Sequence, residues 1–153
     1  MRIVIGADHG GYNLKSQLID FLNTLGHEVK DVGAYTLDSS DDYPDFAQKV
    51  AECIVAGTSE RGIMLCGSGV GASVAANKVR GVRASVCHDI YSARQGVEHD
   101  DMNVLCIGAR IIRKEAAFEL VNAFIYAKFS DGNRHSRRLH KISLMEDRFN
   151  DCR

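Results

Sequence analysis

Three stretches of the chain carry side chains suited to proton transfer beside a bound anion. The first is Cys66-Gly67-Ser68-Gly69-Val70-Gly71. Glycines without a Cβ let a ligand approach the backbone closely. The run before it, Gly62-Ile63-Met64-Leu65, reads as a buried strand, and Ala72 to Lys78 reads as the first turns of a helix. A strand feeding a glycine turn that opens a helix aims several backbone N–H groups at one spot, where the helix dipole also favours negative charge. That environment favours thiolate over thiol, so the sulfur is expected at the lip of an anion cradle. The second stretch is Asp8-His9, which ends an apolar run. The third holds Arg134 and Arg138, four residues apart, which a helix puts on one face. Guanidinium forks match phosphate oxygens.

Each feature also has an ordinary explanation. A single cysteine at a strand end is most often a core residue, and Cys53, Cys87, Cys106 and Cys152 keep that reading. A strand-end Asp can cap the next helix. A basic run is usually a solvated face. The glycine spacing is not the GxGxxG of dinucleotide folds, and no Walker lysine follows it.

Positioning these groups requires regular elements, and the spacing supplies them. Arg2–Ala7 reads as a first strand. Leu14, Leu18, Phe21, Leu22 and Leu25 recur with helical spacing before Gly26. His27–Gly33 alternates like a strand, and Ala34–Pro44 reads as a polar loop with the only proline. Phe46, Val50, Cys53 and Ile54 form a helical stripe closed by Gly57. Val82–Cys87 reads as a fourth strand, His88–His99 as a weakly periodic helix, and Asn103–Gly108 as a fifth strand. Ala117, Val121, Phe124 and Ile125 mark a helix, and Leu139, Ile142, Met145 and Phe149 a last one after Gly132. Strand and helix alternate throughout. The expectation is an α/β, Rossmann-like three-layer αβα fold with a five-stranded parallel sheet, as one domain over residues 1–153. Ligands in such sheets sit beyond the carboxyl ends of the strands. Asp8-His9, Cys66–Gly69 and Gly108-Ala109-Arg110 all fall at such ends. His99-Asp100 precedes the fifth strand.

Composition narrows the function classes. A chain of 153 residues with a net charge of −1 has no nucleic-acid or membrane footprint. No run approaches the roughly 20 apolar residues that span a bilayer. Met1–Gly6 is too short for a signal peptide and reads as strand. Five cysteines without a CxxC point to reduced thiols in the cytoplasm, with neither a zinc ribbon nor a disulfide framework.

The ordered blocks Gly6-Ala7-Asp8-His9-Gly10-Gly11, Asp42-Tyr43-Pro44-Asp45, Cys66–Gly71, Ala75-Ala76-Asn77-Lys78, Gly81-Val82-Arg83-Ala84, Glu98–Leu105 and Arg134-His135-Ser136-Arg137-Arg138 resemble the type B ribose-5-phosphate isomerases, a group that includes galactose-6-phosphate isomerase subunits. The resemblance runs from Met1 to about Phe149. It implies interconversion of ribose 5-phosphate and ribulose 5-phosphate through an enediolate, in the non-oxidative pentose phosphate pathway, without metal or organic cofactor. It also implies a homodimer or dimer of dimers in which two chains build each active site and the C-terminal helix reaches the partner.

By that resemblance Cys66 is the base and Ser68 a proton shuttle between O1 and O2. The backbone of Gly67, Ser68, Gly69, Val70 and Gly71 forms the anion hole. His99 opens the furanose ring. Asp8 contacts sugar oxygens, His9 holds substrate at the phosphate, and Tyr43 lines the site. Arg134 and Arg138, with Arg110 as a third member, clamp the phosphate, the first two from the partner chain. Arg137 is left to surface or interface, and His135 has no assigned role. Asp100 departs from the pattern, since many members have Asn there. A carboxylate side chain would repel an enediolate, so Asp100 is expected to act through its backbone N–H or to pair with an arginine.

Two other readings stay open at this point. One is an isomerase of a six-carbon sugar phosphate, allose 6-phosphate or galactose 6-phosphate, on the same scaffold. The thiol-bearing galactose-6-phosphate isomerase subunit lacks the Asp-His-Gly-Gly and Arg-His motifs, which favours ribose. The other is a non-catalytic phosphate-binding module, since fold alone does not dictate function.

Overall fold

The computed structural model describes residues 1–150; Cys152 lies outside them. In chain order the elements are β1 (Arg2–Ala7), α1 (Tyr12–Thr24), β2 (Glu28–Asp31), α2 (Tyr43–Val55), β3 (Arg61–Cys66), α3 (Val70–Ala76), β4 (Ala84–Val86), α4 (Ile90–Asp100), β5 (Val104–Gly108), α5 (Lys114–Tyr126) and α6 (Asn133–Asn150). The five strands form one parallel sheet in the order β2-β1-β3-β5-β4.

Side chains along a strand alternate between faces, and the two faces have separate cores. Ile3, Ile5, Ile63, Leu65, Leu105 and Ile107 face α1, α4 and α5. Val4, Met64, Cys66, Val104 and Cys106 face α2 and α3. Strands covered on both faces bury their side chains, here all but Arg2 and Arg61 at the starts of β1 and β3, which is why β1, β3 and β5 read as continuous apolar runs. Each such aliphatic contributes roughly 1.5–3 kcal/mol by leaving water.

Several boundaries differ from the sequence expectation, for local reasons. α2 starts inside the expected Ala34–Pro44 loop, with Tyr43 as its first residue, and proline suits a first helical turn. β4 shortens to Ala84–Val86. Ahead of it the Asn103 side chain captures the Arg83 backbone N–H at 2.8 Å. α4 starts at Ile90 because Asp89 accepts the Ser92 N–H at 2.7 Å, a side-chain cap.

α6 packs by its amino-terminal turn and by two polar ties farther along. Gly81 N–H donates to Glu146 at 2.9 Å, and Arg80 pairs with Asp147. Its Ile142, Leu144, Met145 and Phe149 stay exposed. A groove of about 1340 Å³, bordered by Val86, Met102, Ile142, Met145 and Phe149, separates this part of α6 from β4 and α4. Among the described residues no helix is long and apolar enough to cross a membrane.

Candidate active site

The carboxyl ends of β1, β3 and β5 lie side by side, since Ala7 pairs with Leu65 and Cys66 with Gly108. The three polar clusters at these strand ends therefore converge. β1 and β3 are also where the chain switches direction across the sheet, the point at which doubly wound folds open a crevice. The loops are pressed together there. A Cβ on Gly10 would stand 2.9 Å from the Gly67 nitrogen, and one on Gly11 would stand 2.5 Å from the Leu65 Cβ. The two glycines after His9 are thus required by the close approach of β3.

Cys66 ends β3 with its side chain only 4% exposed. The sulfur is therefore under the glycine turn and not at its lip, a correction to the sequence expectation. The reason is strand alternation: Cys66 follows Met64 onto the face covered by α2 and α3. Gly69, at φ 82° on the amino side of α3, donates its N–H to Cys66 Sγ at 3.1 Å. Val70 N–H donates to Ser68 Oγ at 3.3 Å. Ser68 and Val70 are exposed, and Gly67 and Gly71 are half-buried. The Tyr43 ring lies against Gly71, where a Cβ would come within 2.6 Å of it. Cys87 and Cys106 are core thiols whose ionisation burial opposes, and Cys53 is buried as well.

On the other side of the turn, Arg110 lays its guanidinium over Gly67, 3.3 Å from where a Cβ would sit. Its own N–H donates to Gly67 O at 3.1 Å. Asp8 is buried and accepts the Gly11 N–H at 3.2 Å. Burial pushes its carboxyl above the usual range, against that N–H and the neighbouring His9, which pull it down. His9 donates its backbone N–H to Asp41 Oδ1 at 2.9 Å, and its Nδ1 lies 2.7 Å from the same oxygen. That contact with Asp41 raises the imidazole above its ordinary value.

His99, Asp100, Arg134 and Arg138 are elsewhere. α4 runs back along the sheet from the carboxyl end of β4, so His99 and Asp100 reach the amino end of β5. Asp101 marks the place, bonding Arg83 through its carbonyl at 2.7 Å and its carboxylate at 2.6 Å. Cys66 sits beside Gly108 at the far end of β5, four residue steps or roughly 13 Å along the strand direction. Here His99 stacks on His135, and Arg134 Nε donates to His135 Nε2 at 3.0 Å. Gln95 Nε2 lies 2.7 Å from His99 Nδ1. A side-chain amide donating there leaves Nε2 of His99 to carry the ring proton. His135 is 5% exposed, and its Nδ1 has no hydrogen-bond partner among the described residues. Burial, then His99 and the two arginines, lower its basicity, while Asp100 acts the other way. Of the two roles expected of Asp100, a backbone N–H contact or an arginine pair, the pair is not formed among the described residues; the neighbouring Asp101 holds Arg83.

The residues expected at the site therefore fall into two clusters at opposite ends of the sheet. The first comprises Asp8, His9, Tyr43, Cys66–Gly71 and Arg110; the second comprises His99, Asp100, Arg134 and Arg138. Sequence reasoning missed Asp41 and Gln95, whose roles come from partners 32 and 4 residues away. Only the second had a signal, its helical spacing from His99.

The family model described as Ribose/Galactose Isomerase matches residues 3–142. Ribose-5-phosphate isomerase B of Escherichia coli is 40% identical over 97% of this chain and 99% of its own length. A ribose-5-phosphate isomerase B structure from Clostridium thermocellum superposes with a TM-score of 0.94 at 47% identity, covering 97% of this chain and 99% of that one. The Mycoplasma genitalium ribose-5-phosphate isomerase B with bound ribulose 5-phosphate has a TM-score of 0.91 at 39% identity, over 95% and 96% of the two chains. With a family match over residues 3–142, relatives aligned over nearly all of their own lengths, and the same fold around the thiol-tipped strand, the chain belongs to the ribose/galactose isomerase family.

Proposed function

We propose that this chain is an aldose–ketose isomerase that interconverts D-ribose 5-phosphate and D-ribulose 5-phosphate. The observation that carries the reading is the end of β3, where Cys66 Sγ takes the Gly69 N–H at 3.1 Å between Asp8 and Arg110. A sulfur held away from bulk water, beside fixed backbone donors, suits removal of a carbon-bound proton with the resulting charge held by preorganised dipoles. Family membership and the ribulose 5-phosphate held by the Mycoplasma genitalium relative support the choice of substrate.

In this mechanism the Cys66 thiolate takes the C2 proton of the open-chain aldose. The electron pair forms the enediolate, whose oxygens face the Gly67–Gly71 amides. Ser68 carries the proton from O2 to O1, and Cys66 returns its proton to C1. Asp8 and Tyr43 hold the sugar, and His9 and Arg110 face its phosphate. No step in this sequence calls on a metal or organic cofactor.

The two half-sites also make a second copy part of the proposal. A homodimer, alone or paired into a tetramer, would bring His99, Asp100, Arg134 and Arg138 of one chain to the Cys66 turn of the other. His99 then opens the furanose ring, and the arginines close on the phosphate. The exposed Ile142, Leu144, Met145 and Phe149 and the groove beside them supply apolar surface of the kind an isologous dimer buries.

The test is direct. Purified chain incubated with ribose 5-phosphate is expected to produce ribulose 5-phosphate, and Cys66→Ala to lower turnover by about 10³-fold or more while sugar-phosphate binding persists. Allose 6-phosphate and galactose 6-phosphate are assayed beside it. Unchanged turnover in Cys66→Ala, or faster turnover of a six-carbon substrate, overturns the reading.

A further inference from the structure

His9 has two ring nitrogens, and the fold commits one of them. Its Nδ1 and its backbone N–H converge on a single oxygen, Asp41 Oδ1, at 2.7 and 2.9 Å. The second oxygen of Asp41 is buried and has no hydrogen-bond partner among the described residues. The carboxylate is thus oriented toward His9 and toward nothing else. The ring remains 31% exposed, which leaves Nε2 as its one uncommitted nitrogen.

We propose that Asp41 is a positioning residue for substrate binding: it turns His9 so that Nε2–H, beside the Arg110 guanidinium, donates to the substrate's phosphate. The proposal rests on the isomerase reading above. Asp41 supplies both an orientation and a charge, because a carboxylate on Nδ1 stabilises the imidazolium. Asp41 and Asp8 favour the charged form of His9, which stands with Arg110 beside the Cys66 turn before any second chain contributes.

The charges facing His9 are Asp8 from the end of β1, Asp38 and Asp41 from the connection between β2 and α2, and Arg110 from the turn after β5. Asp41 acts most strongly through its hydrogen bond, Asp8 acts in the same direction, and Arg110 acts against them. Replacing Asp41 by Asn therefore lets His9 lose its proton at a lower pH. Between that pH and the midpoint of the unaltered chain, the variant presents a neutral ring more often than the unaltered chain does.

The experiment compares the unaltered chain, Asp41→Asn and His9→Gln. The His9 ring is followed by NMR in titrations without substrate, its resonances assigned by their loss in His9→Gln. The expected result is a His9 midpoint lower by about one pH unit in Asp41→Asn. KM for ribose 5-phosphate at about pH 8 is expected to rise about tenfold, with kcat changed less than about twofold and the KM ratio closing toward about pH 6. Asp41→Asn introduced into His9→Gln is expected to change KM no further. An unmoved midpoint, a KM ratio constant across pH, or additive effects in the double variant overturns the proposal, since each is the signature of a loop support only. If Asp41→Asn does not fold, Asp41→Ser removes the same charge and is judged by the same criteria. If the unaltered chain does not isomerise ribose 5-phosphate, the functional reading fails. The NMR midpoint, and the shift of the His9 resonance on adding inorganic phosphate, still decide the role of Asp41.

Discussion

The His99 ring stacks on the His135 ring with centroids 4.1 Å apart and planes 27° from parallel. This contact ties the end of α4 to the first turn of α6. Because Arg134 Nε also donates to His135, the histidine assigned to ring opening and an arginine assigned to the phosphate share one buried support. They form a preassembled unit, and it is on the edge of the sheet that Cys66 does not occupy.

That separation yields the first prediction. Cys66→Ala chains, without turnover alone, and Arg134→Ala chains, with KM strongly raised alone, are expected to recover about a quarter of full activity when mixed under conditions of subunit exchange, because a random mixture places one intact site in half of the dimers. Size-exclusion chromatography with differently tagged chains verifies the exchange. Proven exchange without rescue rules out sites shared between chains.

His135 sets a pH dependence of stability. Burial lowers its basicity in the folded chain, so the unfolded chain binds the proton more readily. The stability linked to its neutral form is fully present above the ordinary histidine value of about 6.5 and is lost as pH falls below it. Melting temperatures measured from about pH 7.5 down to about pH 5 are expected to fall more steeply in the unaltered chain than in His135→Phe, which keeps the ring and cannot titrate. Parallel curves exclude His135 as a contributor.

Lys15 offers a test of the scaffold under the first half-site. It is 2% exposed, and its Nζ donates to both Asp31 oxygens and to Ala34 O, all at 2.7 Å. These bonds pin the start of the connection that carries Asp41 and Tyr43. Lys15→Met strands a carboxylate and a carbonyl. Asp31 keeps some access to water, so the expected cost is about 2–3 kcal/mol, below that of a fully buried pair. A shift in the denaturant midpoint corresponding to less than about 0.5 kcal/mol refutes this.

The continuous apolar runs of β1, β3 and β5 and the helical spacing of Leu14, Leu18 and Leu22 made the layered fold legible in the sequence. Cys66 at the end of the thiol-tipped run, Asp8-His9 after the first strand and Arg110 after the fifth were legible for the same reason, since a parallel sheet sends every strand end to one edge. The periods of strand and helix are written into neighbouring residues. They say on which face a side chain starts, and they placed the arginine pair on one helical face.

Neighbouring residues do not say which groups meet through space. Only the tertiary structure brought Asp41 to His9 across 32 residues and stacked His135 on His99. It also put Cys66 beneath its turn, because α2 and α3 cover that face of β3. The separation of His99 from Cys66 followed from the return direction of α4, which carries His99 to the end of the sheet opposite Cys66. Residue types and their periods were therefore decided by local chain chemistry. The distance between the Cys66 turn and the His99–Arg134 cluster was decided by long-range packing, which no spacing along the chain encodes.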